Sequence, residues 1–383
     1  MWKNTRGGTS ARSFALTTLL LSGMLVACGG DDDGTAPPVD FDEQAAANDL
    51  DAVLGAVSQD ATTTLLLAAQ GLANTAAAPA LFPALASISP ESGGLAGIAE
   101  VGDAKLGLAA SALLPNLSAT SSVGAEPIFP SNLLGKTFVW GGTGYVPDDT
   151  LPGAPANGVR FIAYAINPLT RLPVEPLVEV GYLDLTDDGS PASTRLGILL
   201  VDTSGASDVT LVDYFIDVSI QVVGETVTVT LLARGFVSDG TQTVTFDLDQ
   251  GLSLDQTGAG TFTVDYAFDV AGLSLGFQAA ASLDLTQETS GFASTMTLRE
   301  GSDVVVLNVT ESATGAIDGQ ITFNGSPVIL VAGTALNPQF TRPDGSELTE
   351  VEVQALVDIV DAVTEILLVA EELFAPISGA MAV

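Results

Sequence analysis

Between residues 226 and 270 the chain repeats with a period of two, and that period decides what it can fold into. Val227, Val229 and Leu231 alternate with Thr226, Thr228 and Thr230. Val244, Phe246 and Leu248 alternate with Thr243, Thr245, Asp247 and Asp249. Phe262, Val264, Tyr266, Phe268 and Val270 alternate with Thr261, Thr263, Asp265 and Asp269. Successive side chains of a strand point to opposite faces, so each run has an apolar face and a Thr/Asp face. An antiparallel sheet with one side on a core and the other in water has this pattern.

The links between such runs are short and carry turn residues. Gly224-Glu225, Asp239-Gly240, Gly301-Ser302 and Asn324-Gly325 each separate two strand-like segments. Glycine and asparagine supply the positive φ angles that tight hairpins need. The spacing predicts about nine strands between residues 209 and 333 and about four more between 136 and 201. No 33- or 40-residue repeat points to a propeller or solenoid.

Two segments switch to helical spacing. In 41–76, Leu50, Leu54, Val57, Ala61, Leu65, Ala68 and Leu72 recur at steps of three and four, the mark of one helix face. Near the end, Thr349 and Glu352 have the spacing of a capping box. Val353, Leu356, Val360, Val363, Leu367, Ala370 and Phe374 follow on one stripe. No Lys or Arg lies between Glu347 and Glu372, and Glu371 and Glu372 oppose the helix dipole. This helix is therefore expected to need burial against the core, and Leu367 is expected to be a buried contact. Residues 79–133, rich in Ala, Gly, Ser and Pro, read as short turns or wrapping loop.

The first 28 residues follow a different logic. Lys3, Arg6 and Arg12 precede an apolar run from Phe14 to Ala27, which ends in Leu25-Val26-Ala27-Cys28. The run is too short to span a bilayer, which takes about 20 residues, and suits a secretory leader. Cys28 is the only cysteine of the 383 residues. The arrangement resembles the lipobox of bacterial lipoproteins. That resemblance implies cleavage before Cys28, acylation of its sulfur and amine, and a membrane anchor. Several chains hold stably where one does not, each buried methylene contributing about 0.8 kcal/mol. Gly29 in the position after the cysteine implies export to the outer membrane. Residues 29–40, with Asp31 to Asp33, Pro37 and Pro38, read as a flexible acidic tether.

The leader holds three of the 11 basic residues and none of the 46 acidic ones, so its removal takes the formal charge from −35 to −38. Such a field repels nucleic acid and anionic headgroups. It does not mean disorder, because 47% of residues are hydrophobic and only 15% charged. With Cys28 spent on lipid, no disulfide remains to staple the fold.

Chemistry is sparse. The chain has no histidine, which removes the usual general base and imidazole metal ligands. Asp247 with Asp249 and Asp265 with Asp269 are paired carboxylates, but they sit on the wet face rather than in a pocket, so no catalytic residue is assigned. Asp184-Leu185-Thr186-Asp187-Asp188-Gly189 begins like an EF-hand loop. Its twelfth position is Arg195 where a glutamate is required. A looser calcium site at Asp184, Asp187 and Asp188 or a solvated turn are both compatible with it. Gly135-Lys136-Thr137 lacks the first glycine of a phosphate loop, since position 130 is proline. No cofactor is implied.

The expected fold is α+β, mainly β. A large antiparallel meander, a curved sheet or half-barrel, is covered on its apolar face by an N-terminal and a C-terminal helix. The expected divisions are a signal peptide at 1–27, lipidated cysteine and tether at 28–40, a helical and irregular region at 41–133, a β domain at 134–345 and a helix at 346–383. The architecture resembles that of Lol-type lipoprotein carriers and receptors at the level of fold. The expected role is a non-enzymatic, lipid-anchored protein of the cell envelope. It holds an apolar or acyl ligand on Phe246, Phe262, Val264, Tyr266 and Phe268, or is a structural or surface-contact module with a closed core, with or without bound calcium.

Overall fold

The computed structural model describes residues 127–374. Short stretches are excepted, 285–290 being the longest, as are the side chains at 281–284, 360–369, 371 and 372. All described residues belong to Val39–Val383, the second of the two units into which the chain divides. The expected leader, Cys28 and its tether, the helix at 41–76 and most of 79–133 lie outside them.

The chain is mainly β. Fifteen strands form one sheet that is not closed. They are β1 (Lys136–Trp140), β2 (Tyr145–Asp148), β3 (Gly158–Tyr164), β4 (Glu179–Asp187) and β5 (Thr194–Asp202). Then come β6 (Val209–Val223), β7 (Thr226–Ser238), β8 (Thr243–Leu254), β9 (Ala259–Val270) and β10 (Leu273–Asp284). The last are β11 (Gly291–Glu300), β12 (Asp303–Glu311), β13 (Ala316–Phe323), β14 (Ser326–Thr334) and β15 (Asn337–Thr341). From β3 to β15 each strand lies beside its neighbour in sequence, and β2 and β15 are the two edges.

The sheet is not a pure antiparallel meander, which corrects the sequence expectation. β1 lies between β2 and β3, antiparallel to the first and parallel to the second. The β2–β3 connection therefore has to cross β1. It does so beside Arg160, where a Cβ on Gly153 (φ +111°) would stand 2.8 Å from the guanidinium. Phe138 of β1 pairs with Phe161 of β3, and their rings stack with centroids 4.9 Å apart.

Alternation produces one continuous apolar face. One row runs Ile198, Tyr214, Gly235, Phe246, Phe268, Leu275, Leu298 and Val305 across β5 to β12. All but the glycine belong to a single buried cluster. Each such aliphatic or aromatic side chain contributes about 1.5–3 kcal/mol on burial. A slip of one residue would turn the whole row to water, so this face specifies register.

The hairpins follow the turn residues. Asn324 (φ +49°) and Gly325 (φ +82°) are both left-handed, as a type I′ turn requires. At β6–β7 only Gly224 of the two turn residues is left-handed (φ +64°), as in type II′.

One helix, α1 (Glu350–Leu373), is present among the described residues. Its start is the capping box: Thr349 N–H donates to Glu352 Oε2 at 2.7 Å, and Glu352 N–H donates to Thr349 Oγ1 at 3.4 Å. Arg342, just after β15, pairs with Glu352 and donates to the Glu347 carbonyl at 3.0 Å. Leu356, Ile359, Ala370, Leu373 and Phe374 join the core cluster. The side chain of Leu367 lies outside the described set. Covering of the sheet by two helices is not shown. Among the described residues no helix is long and apolar enough to cross a membrane.

Candidate functional site

The five residues assigned to an apolar site all face inward. Phe246, Phe262, Val264, Tyr266 and Phe268 are buried members of one cluster. Phe246 and Phe268 are direct cross-strand partners on β8 and β9. Tyr266 pairs with Leu248, Val264 with Gln250, and Phe262 with Leu252. Phe262 stands six residues from Phe268 along β9, roughly 20 Å at 3.3 Å per residue. The group is therefore a band down the sheet rather than a ring around one point.

At the Phe246 end the band meets the helix. Tyr214 of β6 lies edge-on to Phe246, with ring centroids 5.4 Å apart. Gly235 makes this contact across two strands feasible, because it stands between the two rings in register. A Cβ there would fall 2.5 Å from the Tyr214 backbone. The Tyr214 hydroxyl donates to the Leu373 carbonyl at 3.0 Å, in a buried bond. That carbonyl belongs to the last turn of α1, where no intrahelical donor exists. Burial pushes the Tyr214 phenol far above its ordinary pKa, so it stays a donor.

Halfway along the band the apolar face holds one polar pair. Gln250 sits on the inward side of β8 between Leu248 and Leu252, and its amide donates to the Tyr266 hydroxyl. The period of two marks position 250 as inward, which is the signal that singles out this glutamine.

The outward face carries the acids. Asp247 accepts from Arg234 Nε at 2.7 Å. Asp249 faces Asp265 across the β8–β9 pair, and Asp265 accepts from Gln278 at 3.1 Å. Partial burial raises the Asp249 pKa, Asp247 and Asp265 raise it further, and Arg234 opposes them. The described partners of these carboxylates are the neighbouring Arg234 and Gln278 on the same outward face.

The residues assigned to calcium are already engaged by the protein. Asp184 lies mid-strand in β4 rather than in a turn. It takes both Nε and Nη2 of Arg160, each at 2.7 Å. Asp187 accepts from the Ile128 amide at 3.0 Å and the Gly189 amide at 3.1 Å. Asp188 accepts from Asn157 at 2.9 Å and Thr186 at 2.7 Å. Among the described residues no group of three or more acidic side chains is arranged to hold a metal ion.

Sequence reasoning missed the outward pairs themselves. Arg160 opposes Asp184, Arg195 opposes Asp217, and Arg234 opposes Asp247, each in direct register on hairpins β3–β4, β5–β6 and β7–β8. Arg160 also lies over the Tyr182 ring at 3.7 Å and Arg195 over Phe215 at 4.4 Å. The signal was an arginine and an aspartate at outward positions of consecutive strands, legible only once the register is known.

No family model, no curated protein and no solved structure matches this chain.

Proposed function

We propose that this is a lipid-anchored, non-enzymatic contact module of the cell envelope, whose apolar sheet face is packed shut. The observation that carries the closed core is the Tyr214–Leu373 bond beside Phe246, which seats the helix end on the strongest part of the candidate ligand band. The lipid anchor rests on the resemblance of residues 25–28 to a lipobox. Intact mass of the membrane-extracted protein tests it: the expected product starts at Cys28 and carries acyl chains, and a mature mass without them overturns the anchor.

The closed core has its own test. Phe268→Ala should cost about 3–5 kcal/mol in denaturant titration, as truncation of a packed phenylalanine does. A fluorescent fatty-acid probe should show no saturable binding. Saturable one-to-one binding, weakened by Phe268→Asp in a protein that circular dichroism shows to be folded, would favour the second reading. That reading is an acyl or apolar ligand site, and the observation for it is the Gln250–Tyr266 pair. One polar contact in an apolar lining is how such sites orient a ligand.

A further inference from the structure

The sheet protects its two outer edges. β2 is four residues long and contains Pro147, and β15 is five residues long and contains Pro338. Short strands and proline blunt pairing with other chains. A third edge inside the sheet has no such protection. β6 runs 15 residues, and its pairing with β5 stops at Thr194 opposite Val218. Pairing with β7 continues to Val223 opposite Thr226. Among the described residues, 219–223 therefore have a strand partner on one side only.

Strand geometry identifies the free groups. In a two-residue hairpin the residues flanking the turn form the hydrogen-bonded pair, so Val223, Gln221 and Ser219 direct their backbone groups at β7. Val218 directs its own at Thr194. Ile220 and Val222 direct theirs to the β5 side, beyond the last β5 pairing at Thr194. Among the described residues no hydrogen bond reaches the backbone of either from that side. Val222 and Val223 are 61% and 74% exposed, on opposite faces of the strand. A peptide added there would gain ladder bonds and cover a valine on each face.

The occupant follows from charge. Residues 218–224 carry no charge; Glu225 follows them, while Asp217 before them is already paired with Arg195, and the chain without its leader is near −38. Of the six described cations, five are already paired with carboxylates. Such a surface repels a second copy of itself and favours a strand with Lys or Arg at its ends. We infer that residues 219–223 of β6 are a docking edge for an extended, cation-flanked peptide segment of a partner protein, which adds as a strand through Ile220 and Val222. The inference rests on the contact-module reading and names its surface.

The test uses a labelled peptide of alternating valine and threonine with lysines at both ends, and the mature chain in detergent. Anisotropy should show saturable binding that weakens with added salt. Val222→Pro removes a donor that faces away from β7, so the hairpin keeps all its bonds. It should weaken binding about tenfold, as expected for one bond of a short ladder. Hydrogen exchange on the wild-type protein supplies a readout independent of any variant. The Ile220 and Val222 amides should exchange quickly when free and slow down on peptide binding. Unsaturable binding, equal affinity for Val222→Pro, or unchanged exchange at those two amides would overturn the proposal. So would a dimer in sedimentation that Val222→Pro dissociates, because the occupant would then be a second copy. Saturable fatty-acid binding would instead overturn the closed core while leaving this edge intact, so the two failures are distinguishable.

Discussion

Strands β3–β8 and β9–β15 present similar stripes to the core but different chemistry to the outside. The first set carries three Arg–Asp pairs in direct register. The second carries contacts such as Thr295 donating to Asn308 at 2.8 Å, and among the described residues no ion pair joins its strands. The three pairs also grade outward. The Arg160 and Asp184 side chains are 19% and 10% exposed, while Arg234 and Asp247 are 49% and 54% exposed. One bonding pattern thus spans a nearly buried, doubly bonded pair and a solvated one. Cross-strand charge can fix register wherever strands pair, but losing one partner is costly only where the other is left without water.

Breaking the buried end should have the largest effect. Asp184→Ala leaves the Arg160 guanidinium largely buried without its carboxylate, and should cost about 3–5 kcal/mol in a denaturant titration. A cost below about 1 kcal/mol would put the first set of strands on the same footing as the second. The helix is fastened to that first set through Tyr214. Tyr214→Phe leaves the Leu373 carbonyl buried and unpaired, and should cost about 1–3 kcal/mol, read as a lower midpoint. An unchanged midpoint would mean that the helix end finds another donor.

At the exposed end the effects should be small. Arg234→Gln should cost no more than about 1 kcal/mol, and the difference should shrink as salt is raised. A larger, salt-insensitive loss would break the proposed grading. Asp249 sharpens the comparison because its charge is opposed rather than paired. Its folded-state pKa is raised, first by burial and then by Asp247 and Asp265. The folded chain therefore holds this proton more tightly than the unfolded one. The group favours folding as pH falls through its folded pKa, and opposes it once ionised. Asp249→Asn should stabilise the protein slightly at neutral pH, by well under about 1 kcal/mol given its exposure. The gain should vanish below the unfolded pKa. Thermal midpoints of both proteins at neutral and acidic pH check the sign, and a variant less stable at neutral pH reverses it.

What could be read from residues alone divides by how local the cause is. The inward set of β8 and β9, the Gly224 and Asn324-Gly325 turns and the Thr349–Glu352 cap each depend on neighbours within a few positions, and each stands where the spacing put it. The nine strands between 209 and 333 follow for the same reason. β1 is different. Nothing in Lys136–Trp140 announces that its partner on one side will run parallel, because that depends on where the chain returns after β2. Asp184 through Asp188 misled in a related way. Clustered acids and a glycine read as a loop, but Leu183 and Leu185 hold the stretch as far as Asp187 in a strand, with only Asp188 and Gly189 beyond it, and Arg160 from 24 residues earlier takes up the first carboxylate. The band from Phe246 to Phe262 was legible as apolar. Its seat against the helix was not, since Tyr214 and Leu373 are 159 residues apart.

That separation has a consequence for how the molecule is assembled. From β3 onward each strand finds its partner next in line, so the sheet can grow hairpin by hairpin, with small loops closed at each step and little entropy lost at any one. The Tyr214 bond cannot form until most of the chain exists. α1 is therefore expected to arrive last, on a sheet already built. A chain truncated before Glu350 would then still nucleate its strands but would lack the piece that completes the surface around Phe246.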